Sequence, residues 1–544
     1  MPLESNVARS GWSFALSSIV LAGLTSAGPA LAQSGAPPHN VLVIVLDDVG
    51  VDLIGAYERH FREQGRAPGF PAETPYIDAL CANGMSFSNA WAAPMCSPSR
   101  AQMLTGMHPS RMGIGSILRR NPLGSTPNPG LSHQHALLPQ VLSAAPTPYS
   151  NAAIGKWHLA DIDQLVVGLG HALGAPGGRW FDTFAGSLFN LERAPSTPPG
   201  TNFFFGWRKA YTGAIQPGSS PCGAAGFPCE VEVVAPPLTN YATADTTEDA
   251  LAMMGQLSEP WFLYVAYNAP HTPGHVAPLT LPKPTCAPPS AMAAACEYDR
   301  AAGLPAQVRC VMRVLDEQIG RLLCAHDPAD TTVILIGDNG TDSDATLPPF
   351  DNTHAKGQLY QGGVQTPLVI RSPLVPPALR GSFEDRLVSN VDLFATVADL
   401  GGVSASTPDA VSLTPYLRGQ ASAPLRAFVY AEGFFPNFTP LTPGGGPPPG
   451  YVAGTHNQTV RNERFKLLRR WSRAGSGVIE LEEELYDLTE GGPPNTSSNP
   501  PTPTPDWFEQ NELLSSGAPL SPAAQAAYVT LGAWLDANFP TLAQ

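Results

Sequence analysis

The chain has 544 residues, 43% of them hydrophobic, and a formal net charge of −15. That is long enough for one large α/β domain with a smaller one appended, and too apolar for wholesale disorder. The negative charge argues against a nucleic-acid partner; an acidic surface also repels a polyanion unless a local basic patch overrides it.

Residues 1–32 are expected to be a signal peptide: Arg9, an apolar stretch from Phe14 to Leu24, then Ala30-Leu31-Ala32 as a small-x-small cleavage site, with maturation near Gln33. The apolar stretch is interrupted and too short to span a bilayer, so no membrane anchor is expected after cleavage. Export, to the periplasm or outside the cell, permits disulfides among the eight cysteines. Cys222 and Cys229 form the easiest local pair; Cys310 and Cys324 fall on one helix, too far apart to join. If Cys96 is withdrawn for chemistry an odd number remains, which leaves a further free thiol, with Cys81 in an apolar helix the candidate.

Along the chain, Val41 to Leu46, Trp261 to Tyr267, Thr332 to Ile336 and Pro367 to Ile370 read as buried parallel strands. Val308, Met312, Leu315, Ile319, Leu322 and Leu323 share one helix face, as do Val391, Phe394, Val397 and Leu400. Alternating strands and helices predict a large, doubly wound, mostly parallel sheet flanked by helices, over residues 40–425. Pro/Gly-rich segments at 193–200, 215–228, 278–289, 442–450 and 491–505 mark loops and insertions. From about Arg426 the texture changes to short β-like runs, Phe428 to Tyr430 and Phe465 to Leu468, and a final helix from Pro522 to Leu535. This predicts a small C-terminal α+β subdomain over 426–544.

In such sheets ligands bind beyond the carboxyl ends of the strands. Asp47 and Asp48 end the first strand, His271 follows the second, and Asp338-Asn339 ends the third. Asp47-Asp48 alone is more often a turn or a helix cap, and Asp338-Asn339 alone more often a turn. Together, three carboxylates and an amide make a hard oxygen donor set suited to Ca²⁺ or Mg²⁺.

Residues 96–106 read CSPSRAQMLTG. This Cys-x-Pro-x-Arg core followed by Leu-Thr-Gly resembles the signature of the sulfatase family, whose cysteine a maturation enzyme oxidises to Cα-formylglycine. NVLVIVLDDVG at 40–50, GKWHLA at 155–160, YNAPHTP at 267–273, GDNG at 337–340, KGQLYQGGVQTP at 356–367 and ELYDL at 484–488 follow the family's order.

The resemblance implies an alkaline-phosphatase-like fold and hydrolysis of sulfate esters. It implies that Asp47, Asp48, Asp338, Asn339 and the modified Cys96 bind a divalent cation, usually Ca²⁺ with Mg²⁺ as the alternative, and that Arg100, Lys156, His158, His271 and Lys356 line the sulfate pocket. Arg100, Lys156 and Lys356 would neutralise the sulfuryl group, His271 protonate the leaving oxygen, Asp338 take a proton from the attacking hydroxyl, and His158 serve as base for sulfate expulsion. For the histidines and lysines the plainer roles are structural hydrogen bonding and surface solvation. Yet the chain has only five lysines, and two stand at motif positions.

Where the family usually has Glu after Tyr and often Arg before the Thr-Pro, this chain has Gln361 and Gln365; altered local packing is expected rather than lost activity. The insertions around 160–240 carry no readable motif. Two other readings remain: a phosphonate or phosphodiester hydrolase on the same scaffold, and a non-catalytic protein that binds sulfated glycans with Cys96 unmodified.

Overall fold

The computed structural model describes residues 39–543 apart from 67–70, 120–128, 133, 160–179, 195, 212–228, 234–240, 279, 287–302, 348–349, 474–478, 491 and 496–501. The expected signal peptide, the Cys222–Cys229 pair and much of the 160–240 insertion lie outside the described residues.

Alternation along Asn40–Leu46 shows how the architecture arises. Its residues are buried on both sides: Val41, Val43 and Val45 point into one apolar core while Leu42, Ile44 and Leu46 point into another. The first core is closed by the helices Cys96–Thr105, Leu138–Ser143 and Asp392–Leu400, through Met103, Leu104, Leu142, Phe394 and Val397. The second is closed by Gly55–Glu63, Pro75–Asn83, Ala242–Met254 and Gly303–Cys324, through Phe61, Ile77, Leu80, Met253, Leu315 and Ile319.

The central sheet has ten strands in the spatial order Ser382–Glu384, Met85–Phe87, Leu368–Arg371, Thr331–Gly337, Asn40–Leu46, Trp261–Ala266, Ser150–Lys156, Thr183–Ser187, Trp207–Tyr211, Cys229–Val233. Its middle is parallel, as expected. One expectation fails: Leu368–Arg371 is antiparallel to both of its neighbours. The connection from Thr331–Gly337 leaves and re-enters at the same edge, where Gly337 N donates to Pro367 O at 3.1 Å, so the chain must run back.

The C-terminal sheet has four antiparallel strands, Val429–Phe435, Thr455–Arg461, Phe465–Arg473 and Ile479–Asp487. Helix Pro522–Asn538 covers one face, burying Leu531 and Leu535 against Val460, Leu467 and Leu485. Pro522 at its first turn and the Ser521 hydroxyl, which accepts from Ala524 N at 3.2 Å, start it. The other face packs Val429, Ala431 and Leu468 against Trp91, Leu359, Tyr360 and Val364, beside the loop that carries Lys356.

Cys286 and Cys324 are disulfide-bonded, Cys310 is also in a disulfide, and Cys81 and Cys96 are free and buried. Cys324 thus avoids Cys310, and Cys81 is a free thiol besides Cys96 among the described residues, both as expected. Among the described residues no helix is long and apolar enough to cross a membrane.

Candidate active site

Sheet register puts the two acidic motifs side by side. Leu46 pairs with Gly337, so the next residues, Asp47 and Asp338, are neighbours, and the ladder continues with Asp338 N donating to Leu46 O at 3.0 Å. Asp48 turns the chain with φ 65°, a region that Asp enters more readily than most residues. Cys96 opens helix Cys96–Thr105, and Arg100, four residues on, lies one turn away on the same face. Lys156 ends strand Ser150–Lys156, and His158 follows with φ 59°. Lys356 is held by backbone bonds to Thr341 O, at 3.0 Å, and, through Gly357 N, to Pro94 O, at 2.8 Å.

These residues converge. One potential ligand atom each from Asp47, Asp48, Cys96 and His271 lies within 4.8 Å of the others. Lys156 Nζ donates to Asp47 Oδ2 at 2.6 Å, and Lys356 Nζ to Asp48 Oδ2 at 2.8 Å. Arg100 gives Nε and Nη2 to Asp338 Oδ2, at 2.9 and 2.7 Å, and Nη1 to Lys156 O at 2.8 Å. Asp338 Oδ1 accepts from Asp48 N at 3.2 Å. Asp338 stands outside the four-residue group, whereas His271, which the resemblance placed in the substrate pocket, stands inside it. His271 Nε2 is 3.8 Å from Asp48 Oδ2.

The electrostatics follow from burial. Desolvation alone would raise Asp47, but Lys156, His271, Arg100 and Lys356 hold it far below the usual carboxylate range; desolvation likewise works against Asp48, which Lys356 and His271 pull down. Burial, and then Asp47, push Asp338 up. Despite its burial Lys356 is held charged by Asp48. Burial keeps His271 and, more strongly, His158 below their ordinary value. Burial also drives the Cys96 thiol far up, beyond what Lys156 and Lys356 offset. A thiol so held stays protonated, a weak nucleophile and a poor ligand for a hard cation.

Three carboxylates therefore face Arg100, Lys156 and Lys356, and an added divalent ion would tip the balance towards positive charge, which suits an anion. The donors fit such an ion. Asn339 spends its amide hydrogens on Asp48 Oδ1, at 2.9 Å, and Gly340 O, at 3.0 Å, which leaves its Oδ1 buried and, among the described residues, unpartnered. That oxygen and the Asp47 and Asp48 carboxylates are the hard donors that Ca²⁺ or Mg²⁺ takes.

His158 stands slightly apart. Its Nε2 is 2.8 Å from Leu118 O, so Nε2 carries the hydrogen and donates, and Nδ1 is a buried acceptor with no partner among the described residues.

Gln361 and Gln365 form a neutral chain. Trp91 Nε1 donates to Gln361 Oε1 at 3.0 Å, Gln361 Nε2 to Gln365 Oε1 at 3.4 Å, and Gln365 Nε2 to Ser88 O at 2.6 Å. Glu509, missed in the sequence, accepts from Gln361 N at 2.5 Å and pairs with the fully buried Lys466. The C-terminal sheet thus braces the turn five residues beyond Lys356, and no motif marks Glu509. Asn268, inside YNAPHTP, and Ser187, at the end of Thr183–Ser187, are further buried polar residues joined by a hydrogen bond at 3.2 Å.

The sulfatase family model matches residues 39–403, and this chain belongs to that family. It is 27% identical over 433 residues to N-acetylgalactosamine-6-sulfatase of Canis lupus familiaris, covering 76% of this chain and 71% of that protein. It is 26% identical over 436 residues to arylsulfatase A of Homo sapiens, covering 76% and 73%. In fold it resembles a sulfatase crystal structure from Pseudoalteromonas sp., with a TM-score of 0.55, 20% identity and 84% of each chain covered.

Proposed function

We propose that this protein hydrolyses sulfate monoesters to an alcohol or phenol and inorganic sulfate, with residue 96 as nucleophile after conversion of Cys96 to formylglycine by a maturation enzyme. The observation that carries this is the Cys96 thiol itself: fully buried, held protonated, 3.5 Å from Asp47 Oδ1, and surrounded by Arg100, Lys156 and Lys356. A cysteine so placed is a poor thiolate nucleophile, but an oxygen at that position meets both the acid pair and the cations. A divalent cation, Ca²⁺ before Mg²⁺, held by Asp47, Asp48, Asp338, Asn339 and residue 96, would supply positive charge and lower the pKa of a bound hydroxyl.

The remaining work falls to side chains. Arg100, Lys156 and Lys356 bind the sulfuryl oxygens and neutralise the charge that gathers there. Asp338 keeps a lone pair on Oδ1 to accept the proton of the attacking hydroxyl. His271 Nδ1 is 2.6 Å from Thr272 O, so one hydrogen stays there, and it is the imidazolium form, with a second hydrogen on Nε2, that passes a proton to the leaving oxygen. The bare Nδ1 of His158 takes the proton released when sulfate is expelled.

Residues 1–32 serve as the export signal, 40–425 as the catalytic domain and 426–544 as the bracing subdomain, and the protein works in the periplasm or outside the cell. The Cys286–Cys324 disulfide supports an oxidising compartment. The test is a paired assay with aryl sulfate, aryl phosphonate and aryl phosphodiester. Preferred turnover of the sulfate, lost in Cys96→Ala, is the expected result; faster phosphonate or phosphodiester turnover, or unimpaired Cys96→Ala, would overturn the reading.

A further inference from the structure

Three adjacent parallel strands end at the site: Thr331–Gly337, Asn40–Leu46 and Trp261–Ala266. Val45 is in register with Ile336 on one side and Ala266 on the other, and all three point into the same core. Hydrogen bonds carry both ladders past the strand ends, Asp338 N to Leu46 O at 3.0 Å and Tyr267 N to Val45 O at 2.9 Å. Two residues beyond that registered trio stand Asp338, Asp47 and Asn268. The register that pairs the two acids thus places an amide next to Asp47.

Asn268 is 3% exposed. Its Oδ1 accepts from the Ser187 hydroxyl at 3.2 Å, and Ser187, itself buried, ends the strand paired with Lys156. Its backbone carbonyl accepts from His271 N at 3.1 Å, fixing it against the turn that carries the proposed general acid. Its Nδ2 has no partner among the described residues. Leaving a buried donor unmade costs about 1–3 kcal/mol, so such groups point to something that completes them.

We propose that Asn268 contacts the substrate, its Nδ2 donating to a sulfuryl oxygen on the side of Asp47 away from Asp338. The inference rests on the sulfate-ester reading of the same site. Arg100, Lys156 and Lys356 supply charge there; Asn268 supplies a neutral, directional donor, oriented in advance by Ser187, for an oxygen that gains charge in the transition state. Ser187 is assigned a positioning role, through its hydroxyl's bond to Asn268 Oδ1.

The experiment compares wild type, Asn268→Ala, Asn268→Asp and Ser187→Ala in the mature holoenzyme. It measures kcat and KM for aryl sulfate, inhibition by inorganic sulfate, and the rise in Tm that inorganic sulfate produces. Asn268→Ala should lower kcat/KM by about 10²-fold. Asn268→Asp, nearly the same shape but anionic, should weaken sulfate inhibition further than Asn268→Ala and abolish the sulfate-induced rise in Tm. Ser187→Ala should lose much less than either. Sulfate binding and kcat/KM in Asn268→Asp within twofold of wild type would overturn the inference. So would equal losses in Asn268→Ala and Ser187→Ala, which mark a packing role. If wild type binds sulfate but hydrolyses no sulfate ester, the hydrolase reading fails, and the sulfate-dependent Tm of Asn268→Asp still decides whether Asn268 holds the anion.

Discussion

Gly155 touches none of the reacting groups, yet Gly155→Ala should disable the site. Gly155 has φ +92°, and a Cβ added there would lie 2.0 Å from Ala266 O and 2.9 Å from its carbonyl carbon. Close C···O contacts run to about 3.3 Å, so the strands Ser150–Lys156 and Trp261–Ala266 must part by about 1 Å at the pair that holds them in register. The left-handed conformation costs an L-residue about 1–2 kcal/mol, and overpacking a rigid interior about 1–3 kcal/mol more. The next residue is Lys156, whose Nζ is 2.6 Å from Asp47. A shift of that size at a catalytic group lowers the rate by roughly 10²-fold. The assay is aryl sulfate kcat/KM alongside thermal unfolding, with Gly402→Ala as control: Gly402 has φ +71° but nothing within 4 Å of its added Cβ. The control should lose about 1–2 kcal/mol of stability and no activity. Gly155→Ala with kcat/KM within threefold of wild type would refute the claim that this strand contact sets the position of Lys156.

Arg100→Lys should lower kcat/KM by about 10²–10³-fold even though charge is kept, because lysine cannot reproduce the fork that joins Asp338 Oδ2 to Lys156 O; steady-state kinetics on folded protein checks this. Burial pulls His275 down to about 4 from its ordinary 6.5, beyond what its backbone bond to Pro273 restores. Between those values the folded state binds fewer protons than the unfolded chain. Its contribution is therefore complete above pH 6.5 and drains away as the pH falls towards 4. Replacing His275, stacked 3.8 Å from Phe204, by phenylalanine should make Tm fall less between pH 7 and 4.5 than in wild type, and an unchanged fall would contradict the assignment. Cys324→Ser opens a loop of 38 residues and should cost about 4 kcal/mol on the chain-entropy model, measured by denaturant unfolding under oxidising conditions.

The elements legible in the sequence were those whose burial leaves an apolar run. Asn40–Leu46 and Thr331–Gly337 are unmistakable, and the acids that follow them inherit their positions from the register. Ser150–Lys156, SNAAIGK, is as deeply placed but built of small and polar residues, so no hydrophobic pattern announces it; Lys156 was found by its motif and not by its strand. Thr183–Ser187 was hidden for the same reason, and Ser187 with it. Strand direction is a property of neighbours: Leu368–Arg371 reads the same either way, and only the return of the chain to the edge it left makes it antiparallel. Contacts between residues distant in the chain, such as Glu509 with Gln361 N or Asp48 N with Asp338, leave no periodic trace in the sequence.

The most direct test of the central claim is peptide mass spectrometry across residues 96–100 of protein from its native host, with aryl sulfate hydrolysis measured on the same sample before and after chelation and after Ca²⁺ is returned. Formylglycine at residue 96, with turnover that chelation stops and Ca²⁺ restores, is the predicted result. An unmodified Cys96 thiol in protein that turns over at full rate would contradict it.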